Sequence, residues 1–170
     1  MTPRSIALSI AGSVFVLDRL TKLWIERNVS AWDVHHIIPG FFDIIHTKNP
    51  GAAFGMFAES EGAVRTVLLI GVSLAVLLFL SFLLLRPGRG GGFTGTKITL
   101  VGLSLVMGGA AGNIYDRAVH GMVTDFLEFY FRDYRFAAFN IADSAITCGA
   151  ALLLIDMWRT RNQSDAPQAN

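Results

Sequence analysis

The stretch TVLLIGVSLAVLLFLSFLLL, residues 66–85, decides the fold class of this chain because it holds 20 consecutive residues without a charge. An α-helix rises about 1.5 Å per residue, so roughly 20 apolar residues cross a hydrocarbon core of about 30 Å. The composition agrees, since 52% of the 170 residues are hydrophobic and only 16% are charged. Such a balance is too apolar for an ordinary soluble domain. Residues 66–85 therefore predict a transmembrane helix.

Two further apolar segments predict helices of membrane-spanning length. Residues 98–117 begin with an uncharged run that ends at 115, and residues 136–158 carry only two charges, Asp143 and Asp156. Both segments are long enough to cross a hydrocarbon core. The single cysteine, Cys148, lies in the second segment and excludes an intramolecular disulfide framework.

Residues 5–25 predict a fourth span, although charged residues interrupt them. Asp18 and Lys22 have the i,i+4 spacing of a helical ion pair. Charges at this place also separate the apolar run from the small residues 29–31, which loosely resemble a signal-peptide cleavage site. We therefore interpret the segment as a retained helix. Four spans place both termini on the same side of the membrane.

The distribution of charge predicts the orientation of these spans. Residues 86–97 carry three cations and no acid, and the tail, residues 159–170, starts with Arg159 and Arg161. Residues 26–65 carry five acids and three cations. Because cytoplasmic loops of membrane proteins are enriched in lysine and arginine, we expect a cytoplasmic loop at 86–97, a cytoplasmic tail and an external segment at 26–65. The chain is then a single integral membrane domain, residues 1–170.

The external segments predict two small surface structures. Residues 35–38 and 41–47 are rich in β-branched and aromatic residues and flank the turn signal Pro39-Gly40, which favours two strands of a small extracytoplasmic β-sheet. Residues 124–134 favour a short amphipathic surface helix, with the bulky side chains Phe126, Leu127, Phe129, Tyr130 and Phe131 at the interface. The predicted fold class is a mainly α membrane protein: a four-transmembrane-helix bundle with this sheet and this surface helix.

Two carboxylates are the main candidates for chemistry. Asp125 follows the third span and Asp143 lies in the fourth, where an ionisable side chain costs at least ~2.5–3.5 kcal/mol on insertion scales. Gly108 and Gly112 form a G-x-x-x-G spacing that lets helices approach closely in lipid. Like charges at short range do not both ionise, so a shared site would hold one protonated and one charged carboxyl, as in aspartic proteases.

Neighbouring polar residues leave alternatives open. Asn113, Asn140 and Arg117 could bind a peptide backbone, but the two asparagines could equally hold helices together and Arg117 could anchor its helix at the interface. For Asp116 we favour the role of an interfacial anchor. The four histidines lack helical ligand spacing, so the sequence predicts no metal site and no cofactor.

Five sequence blocks resemble, in order, the signatures of bacterial lipoprotein signal peptidase, also called signal peptidase II. They are DRLTK at 18–22, NPGAAF at 49–54, GGAAGNIYDR at 108–117, VTDF at 123–126 and FNIADS at 139–144. The resemblance spans nearly the whole chain. It implies an endopeptidase of the bacterial inner membrane that removes the signal peptide of prolipoproteins on the amino side of a diacylglyceryl-modified cysteine.

The resemblance also assigns roles to individual residues. Asp125 and Asp143 match the catalytic pair of the family. Asn49, Asn113, Arg117 and Asn140 match polar positions around that pair and are expected to bind substrate. The residues themselves add the other expectations. Phe54, with Met56 and Phe57, follows a glycine-containing loop in a segment that we expect to close over the site. The ion-pair spacing of Asp18 and Lys22 and the packing motif of Gly108 and Gly112 make these four residues the expected structural supports.

Two other function classes compete with a protease. A proton-coupled transporter or channel subunit also carries intramembrane carboxylates, but four spans without an inverted repeat are atypical of one. A non-catalytic membrane scaffold is the second alternative. The expected partners of a protease are the lipid-modified substrate and membrane lipid, with the protein acting as a monomer. A net charge of +1 gives no reason to expect nucleic acid.

Overall fold

The computed structural model describes residues 1–51, 62–85, 93 and 95–164, with the side chains of 62, 63, 65 and 162–164 left out of the description. Most of this part of the chain is helical. Its helices are α1 (Pro3–Asn28), α2 (Gly62–Leu85), α3 (Lys97–His120) and α4 (Ile141–Ser164). The glycine-rich loop after α2 and the last six residues lie outside the described residues.

Three of these helices have the length and apolarity of membrane spans, within the part of the chain that the structure describes. The three candidate spans are Thr66–Leu85, Lys97–His120 and Ile141–Arg161. The first helix, α1, is long enough but is not among them, and five charged residues lie in its C-terminal half. The helix α3 lies at the centre and packs against α1, α2 and α4.

Small residues allow α3 to approach its neighbours closely. A Cβ atom added to Gly108 would lie 2.6 Å from the Ala11 carbonyl oxygen of α1. At Gly112 it would lie 2.5 Å from an Asp18 carboxylate oxygen. Both glycines predicted as supports therefore lie where a larger residue would clash with α1. On the other side of α3, Gly149 of α4 meets Gly102 backbone to backbone.

A small antiparallel sheet covers one end of the helices. Its strands are β1 (Val34–Ile38), β2 (Phe42–Asn49), β3 (Val123–Phe131) and β4 (Tyr134–Arg135), paired in that order. The two strands predicted around Pro39-Gly40 are confirmed, and Gly40 supplies the turn with its positive φ of 82°. Because the strands follow the ends of α1 and α3 and precede α4, the sheet lies where those three helix ends meet.

The predicted amphipathic surface helix at residues 124–134 is wrong, because most of that segment is strand β3. One edge of β3 pairs with β2, in a register that places Thr47 opposite Asp125. On its other edge, the Leu127 N–H donates to the Phe139 carbonyl and the Phe139 N–H donates back to Leu127. The same pairing holds the segment before α4 extended, so the helix begins at Ile141 and not at the expected 136.

We expect Gly108→Ala to lower the melting temperature of the detergent-solubilised protein. Elsewhere in a helix this change stabilises by roughly 0.5–1 kcal/mol, but at Gly108 the new methyl group overpacks the α1 backbone, which typically costs about 1–3 kcal/mol. The control is Gly12→Ala on α1, where an added Cβ has no atom within 4 Å. Thermal unfolding of the two variants should move in opposite directions; equal behaviour would contradict a close α1–α3 contact.

Candidate active site

The first predicted catalytic residue, Asp125, is brought to the helix ends by a sharp reversal of the chain. Gly121 ends α3 in the left-handed conformation, with φ of 71°, and its N–H donates to the Arg117 carbonyl. Strand β3 then starts at Val123, which places Asp125 near the beginning of the strand with 2% of its surface exposed.

The second predicted catalytic residue, Asp143, lies in the first turn of α4 and forms a reciprocal cap with Asn140. The Asp143 N–H donates to Asn140 Oδ1 at 3.0 Å, and the Asn140 N–H donates to Asp143 Oδ2 at 3.3 Å. This exchange has the arrangement of a capping box, which satisfies helix N–H groups that have no partner inside the helix. The cap fixes the direction of the Asp143 carboxylate.

Asn140 also joins Asp143 to Asp125. Its Nδ2 donates to Asp125 Oδ1 at 2.7 Å, while its backbone N–H remains bonded to Asp143. The side chain is completely buried. Each carboxylate is therefore hydrogen-bonded to the same residue, and the structure brings the two predicted catalytic side chains to one site.

The surroundings of Asp125 favour its protonated form. Burial is the larger cause and the nearby Asp143 carboxylate is the second, and together they raise the pKa of Asp125 to about 6. Hydrogen bonds to Asn49 and Asn140 act in the opposite direction. Asn49 Nδ2 donates to Asp125 Oδ2 at 3.0 Å, and its own Oδ1 accepts the Gly51 N–H at 2.9 Å, which fixes the amide.

Asn113 is hydrogen-bonded to Asp143, as Asn49 is to Asp125, and Lys22 determines the orientation of the Asn113 amide. Asn113 Nδ2 donates to Asp143 Oδ1 at 2.7 Å, while Asn113 Oδ1 accepts a hydrogen bond from Lys22 Nζ at 3.2 Å. An ammonium group can only donate. Lys22 therefore holds the carbonyl end of the amide and turns its NH₂ group towards the carboxylate.

Lys22 belongs to a buried cluster of two cations and two acids beneath the site. Its Nζ lies 2.7 Å from carboxylate oxygens of both Asp18 and Asp116, and Arg19 pairs with Asp116. The predicted ion pair between Asp18 and Lys22 is confirmed. The cluster is neutral as a whole, which compensates for removing four charges from water.

The cluster also contacts α4 directly, because Asp18 Oδ1 accepts the Ala142 N–H at 3.0 Å. The interpretation of Asp116 as an interfacial anchor is wrong, since its surface is only 1% exposed. Arg19 was not singled out from the sequence. Charge balance is the signal that could have identified Arg19 and Asp116. Asp18 and Lys22 already neutralise each other, so a further cation and a further acid near them indicate a second pair.

Arg117 lies beside the two carboxylates and has an unused donor. Its guanidinium donates to the Asn113 carbonyl at 3.4 Å and to the Gly51 carbonyl at 3.3 Å, and it is close enough to Asp143 and Asp125 for a charge interaction. Among the described residues, its buried Nε has no hydrogen-bond partner. Phe54, Met56 and Phe57, predicted to cover the site, lie outside the described residues.

The site is thus made of carboxylates, amides and one guanidinium. Among the described residues, no group of three or more histidine, cysteine, aspartate or glutamate side chains could hold a metal ion. Fold and site together define a class: a helical membrane protein with a buried pair of hydrogen-bonded carboxylates at one end of its helices.

Comparison with known proteins identifies the family. The sequence model of the family described as Signal peptidase (SPase) II matches residues 10–159, and the chain belongs to this family. It is 46% identical over 158 residues to a lipoprotein signal peptidase of Solibacter usitatus, covering 93% of each chain. It is 38% identical over 156 residues to the lipoprotein signal peptidase of Pseudoalteromonas atlantica, covering 91% of this chain and 90% of the relative.

The fold is also similar to solved structures. One of them, described as a bacterial membrane enzyme, is 27% identical and has a TM-score of 0.81, with 98% of this chain and 95% of the other covered. A second structure of the same description is 29% identical with a TM-score of 0.75, covering 90% and 92%. The family is one of peptidases, and the three long apolar helices fit a membrane location.

Replacing Lys22 by methionine should destabilise the protein strongly. The change removes the ammonium from Asp18 and Asp116 and leaves two buried carboxylates close together, and breaking a buried ion pair costs about 3–5 kcal/mol. The matched control is Lys97→Met, because Lys97 is exposed at the start of α3 and surface changes usually fall within about 0.5 kcal/mol. Denaturant unfolding in micelles measures both; equal midpoints would contradict a stabilising role for the cluster.

Proposed function

We propose that this protein is an aspartic endopeptidase that removes the signal peptide from diacylglyceryl-modified prolipoproteins, on the amino side of the lipidated cysteine. The observation that carries this proposal is Asn140, which is hydrogen-bonded to both Asp125 and Asp143. The names of the relatives support the substrate class. Asp125 and Asp143 act as the catalytic residues, and the reaction needs no metal or cofactor.

The two carboxyl groups divide the work of peptide hydrolysis. Asp143, in its charged form, takes a proton from a water molecule, and the resulting hydroxide adds to the carbonyl carbon of the scissile bond. Protonated Asp125 donates its proton to the carbonyl oxygen. The tetrahedral intermediate then collapses as the C–N bond breaks, and Asp143 returns its proton to the leaving nitrogen while the diol proton returns to Asp125. Both carboxyl groups end in their starting states.

The remaining residues of the site hold the carboxyl groups and the peptide. Asn49, Asn113 and Asn140 keep the carboxyl oxygens in place through the hydrogen bonds described above. The Nε–H of Arg117, which has no partner among the described residues, supplies a donor for a substrate carbonyl, because a buried donor without a partner is costly. Phe54 contributes an apolar cover that excludes water when substrate is bound.

We further propose that α1 is the fourth membrane span. Its charged residues Asp18 and Lys22 face the other helices and are fully buried. Its opposite face exposes apolar side chains, namely Leu8, Val16, Leu17 and Leu20. Charges directed into the bundle leave a lipid-compatible outer surface, as is usual for ionisable residues inside membranes. The helix therefore spans the membrane despite the charged residues in its C-terminal half.

With four spans, we infer that both termini lie in the cytoplasm of a bacterial cell and that the sheet lies at the outer face of the inner membrane. The cationic residues between α2 and α3 and after α4 support this orientation. A lipid-modified cysteine lies at the same interface as the site, so the acyl chains remain among membrane lipids while the peptide reaches the carboxyl groups. The protein acts as a monomer in this arrangement.

Incubating the purified protein with a diacylglyceryl-modified prolipoprotein tests the proposal. We expect Asp125→Asn and Asp143→Asn to abolish cleavage. The asparagine side chain keeps the shape of aspartate but can neither accept nor donate the protons that the reaction transfers. Asparagine at 143 can still cap α4, so the fold should be retained. The matched control is Asp156→Asn, which alters a buried carboxylate hydrogen-bonded to Thr96 and Thr99 at the other end of α4 and should retain activity.

Full cleavage by either dyad variant would remove the dyad mechanism. Absence of cleavage by the unaltered protein, together with dissipation of a pH gradient in liposomes, would favour the transporter alternative. Absence of both activities would favour a scaffold.

The pH dependence of cleavage should report the pKa of Asp125. The pair is active when Asp125 is protonated and Asp143 is charged, so raising the pH through about 6 removes the proton and lowers kcat/KM. The decrease of kcat with rising pH should occur at a higher pH than the decrease of kcat/KM. Bound substrate buries Asp125 further, and burial raises the pKa of a carboxyl group. A kcat/KM that rises continuously from pH 5 to pH 8 would contradict Asp125 as the protonated partner.

A further inference from the structure

Three polar side chains on the back of the site-bearing strands form a closed set of hydrogen bonds, which we call the Glu26–Lys48–Thr124 cluster. Lys48 Nζ donates to Thr124 Oγ1 at 2.8 Å and to Glu26 Oε1 at 2.5 Å. The Thr124 hydroxyl in turn donates to Glu26 Oε1 at 2.5 Å. The three residues come from β2, β3 and the end of α1, so the cluster ties two strands to one helix.

The register of the sheet places this cluster behind the site. Lys48 pairs with Thr124, and each has a site residue as its direct neighbour in sequence, Asn49 and Asp125. Successive side chains of a strand point to opposite faces. Asn49 and Asp125 therefore meet on one face of the strands, which carries the site, while Lys48 and Thr124 meet Glu26 of α1 on the opposite face.

The Thr124 hydroxyl is the centre of the cluster, because it is hydrogen-bonded to both of the other residues. It accepts from the ammonium of Lys48 and donates to the carboxylate of Glu26, so it uses both of its functions. The side chain is 2% exposed, whereas those of Lys48 and Glu26 are 39% and 22% exposed. Thr124 also contributes its backbone carbonyl, which accepts a hydrogen bond from Asn140 Nδ2 at 3.4 Å.

A second contact ties β2 to the end of α1. The register between β2 and β3 shifts between Ile44 and Thr47, an irregularity of the kind that redirects side chains next to active sites. Within this bulge, His46 Nδ1 lies 2.8 Å from the Val29 carbonyl. Since a carbonyl only accepts, His46 donates there. The end of β2 that carries Asn49 is thus fixed to α1 on both sides of Thr47.

We propose that Glu26, Lys48 and Thr124 are positioning residues, which hold the β2–β3 pair against α1 so that Asn49 and Asp125 stay in reacting geometry. The inference rests on the proposed peptidase function. The three side chains touch neither the peptide nor the carboxyl groups of the dyad, and they act through the strands. Losing the cluster allows the strand ends to shift, and a misplacement of about 1 Å can lower a rate by about 100-fold.

The central test is Thr124→Val, which removes the hydroxyl and keeps the shape. We expect kcat for cleavage of the diacylglyceryl-modified prolipoprotein to fall about tenfold or more with KM within about twofold, because geometry and not substrate affinity is changed. Weakening the Asn49 hydrogen bond raises the pKa of Asp125, so the limb of the pH–kcat profile should move to higher pH. Thr124→Ser should restore kcat and the profile.

Controls separate this effect from general destabilisation. Thr160→Val removes a hydroxyl that bonds within α4 at the cytoplasmic end and should change neither kcat nor the pH profile. If Thr124→Val does not fold, Lys48→Met and Glu26→Gln carry the test. Their double variant should be no slower than the slower single variant, because both act through one cluster.

Two results would overturn the proposal: an unchanged kcat and pH profile in folded Thr124→Val, or single effects of Lys48→Met and Glu26→Gln that multiply in the double variant. Failure of the peptidase function itself is recognised separately, because the unaltered protein would then not cleave the prolipoprotein. Failure of the dyad mechanism is recognised by intact cleavage in Asp125→Asn, whatever the Thr124 variants do.

Discussion

Asn140 supplies the contact on which the site depends, since it donates to Asp125 through its side chain and to Asp143 through its backbone. The two carboxyl groups belong to different kinds of element: Asp125 lies on strand β3 and Asp143 lies on helix α4. Because one fully buried residue, Asn140, is hydrogen-bonded to both carboxyl groups, it fixes their positions relative to each other. The reversal at Gly121 and the pairing of β3 with residues before α4 then serve to bring Asp125 within its reach.

The neutral cluster beneath the site explains how so many polar groups coexist with an apolar bundle. Asp18, Lys22, Asp116 and Arg19 pair with one another in a largely buried position. Close packing at Gly108 and Gly112 lets α1 bring its half of this cluster against α3. Because Lys22 also orients Asn113, the same charges that hold the helices together set the direction of one hydrogen bond to Asp143.

The sequence predicted much of this arrangement, and the misses have physical reasons. Long uncharged runs identified the helices, and the turn at Pro39-Gly40 identified two strands, because both signals are local. The prediction of a helix at residues 124–134 is wrong because the partners of this segment are not apparent from the local sequence: β2 is distant, and the residues before α4 are not recognisable as a strand. Asp116 was misplaced because its exposure depends on how tightly α1 packs.

The cap at the start of α4 has a consequence for how this position varies among descendants. Asp143 accepts the Asn140 N–H and donates its own N–H to the Asn140 side chain, so the helix needs an acceptor at 143 whether or not the chemistry is used. A copy of the chain released from selection for catalysis would still be selected for folding. Such a copy should acquire asparagine or another capping side chain at 143, and not alanine, because the helix cap is still needed for folding after catalysis is lost.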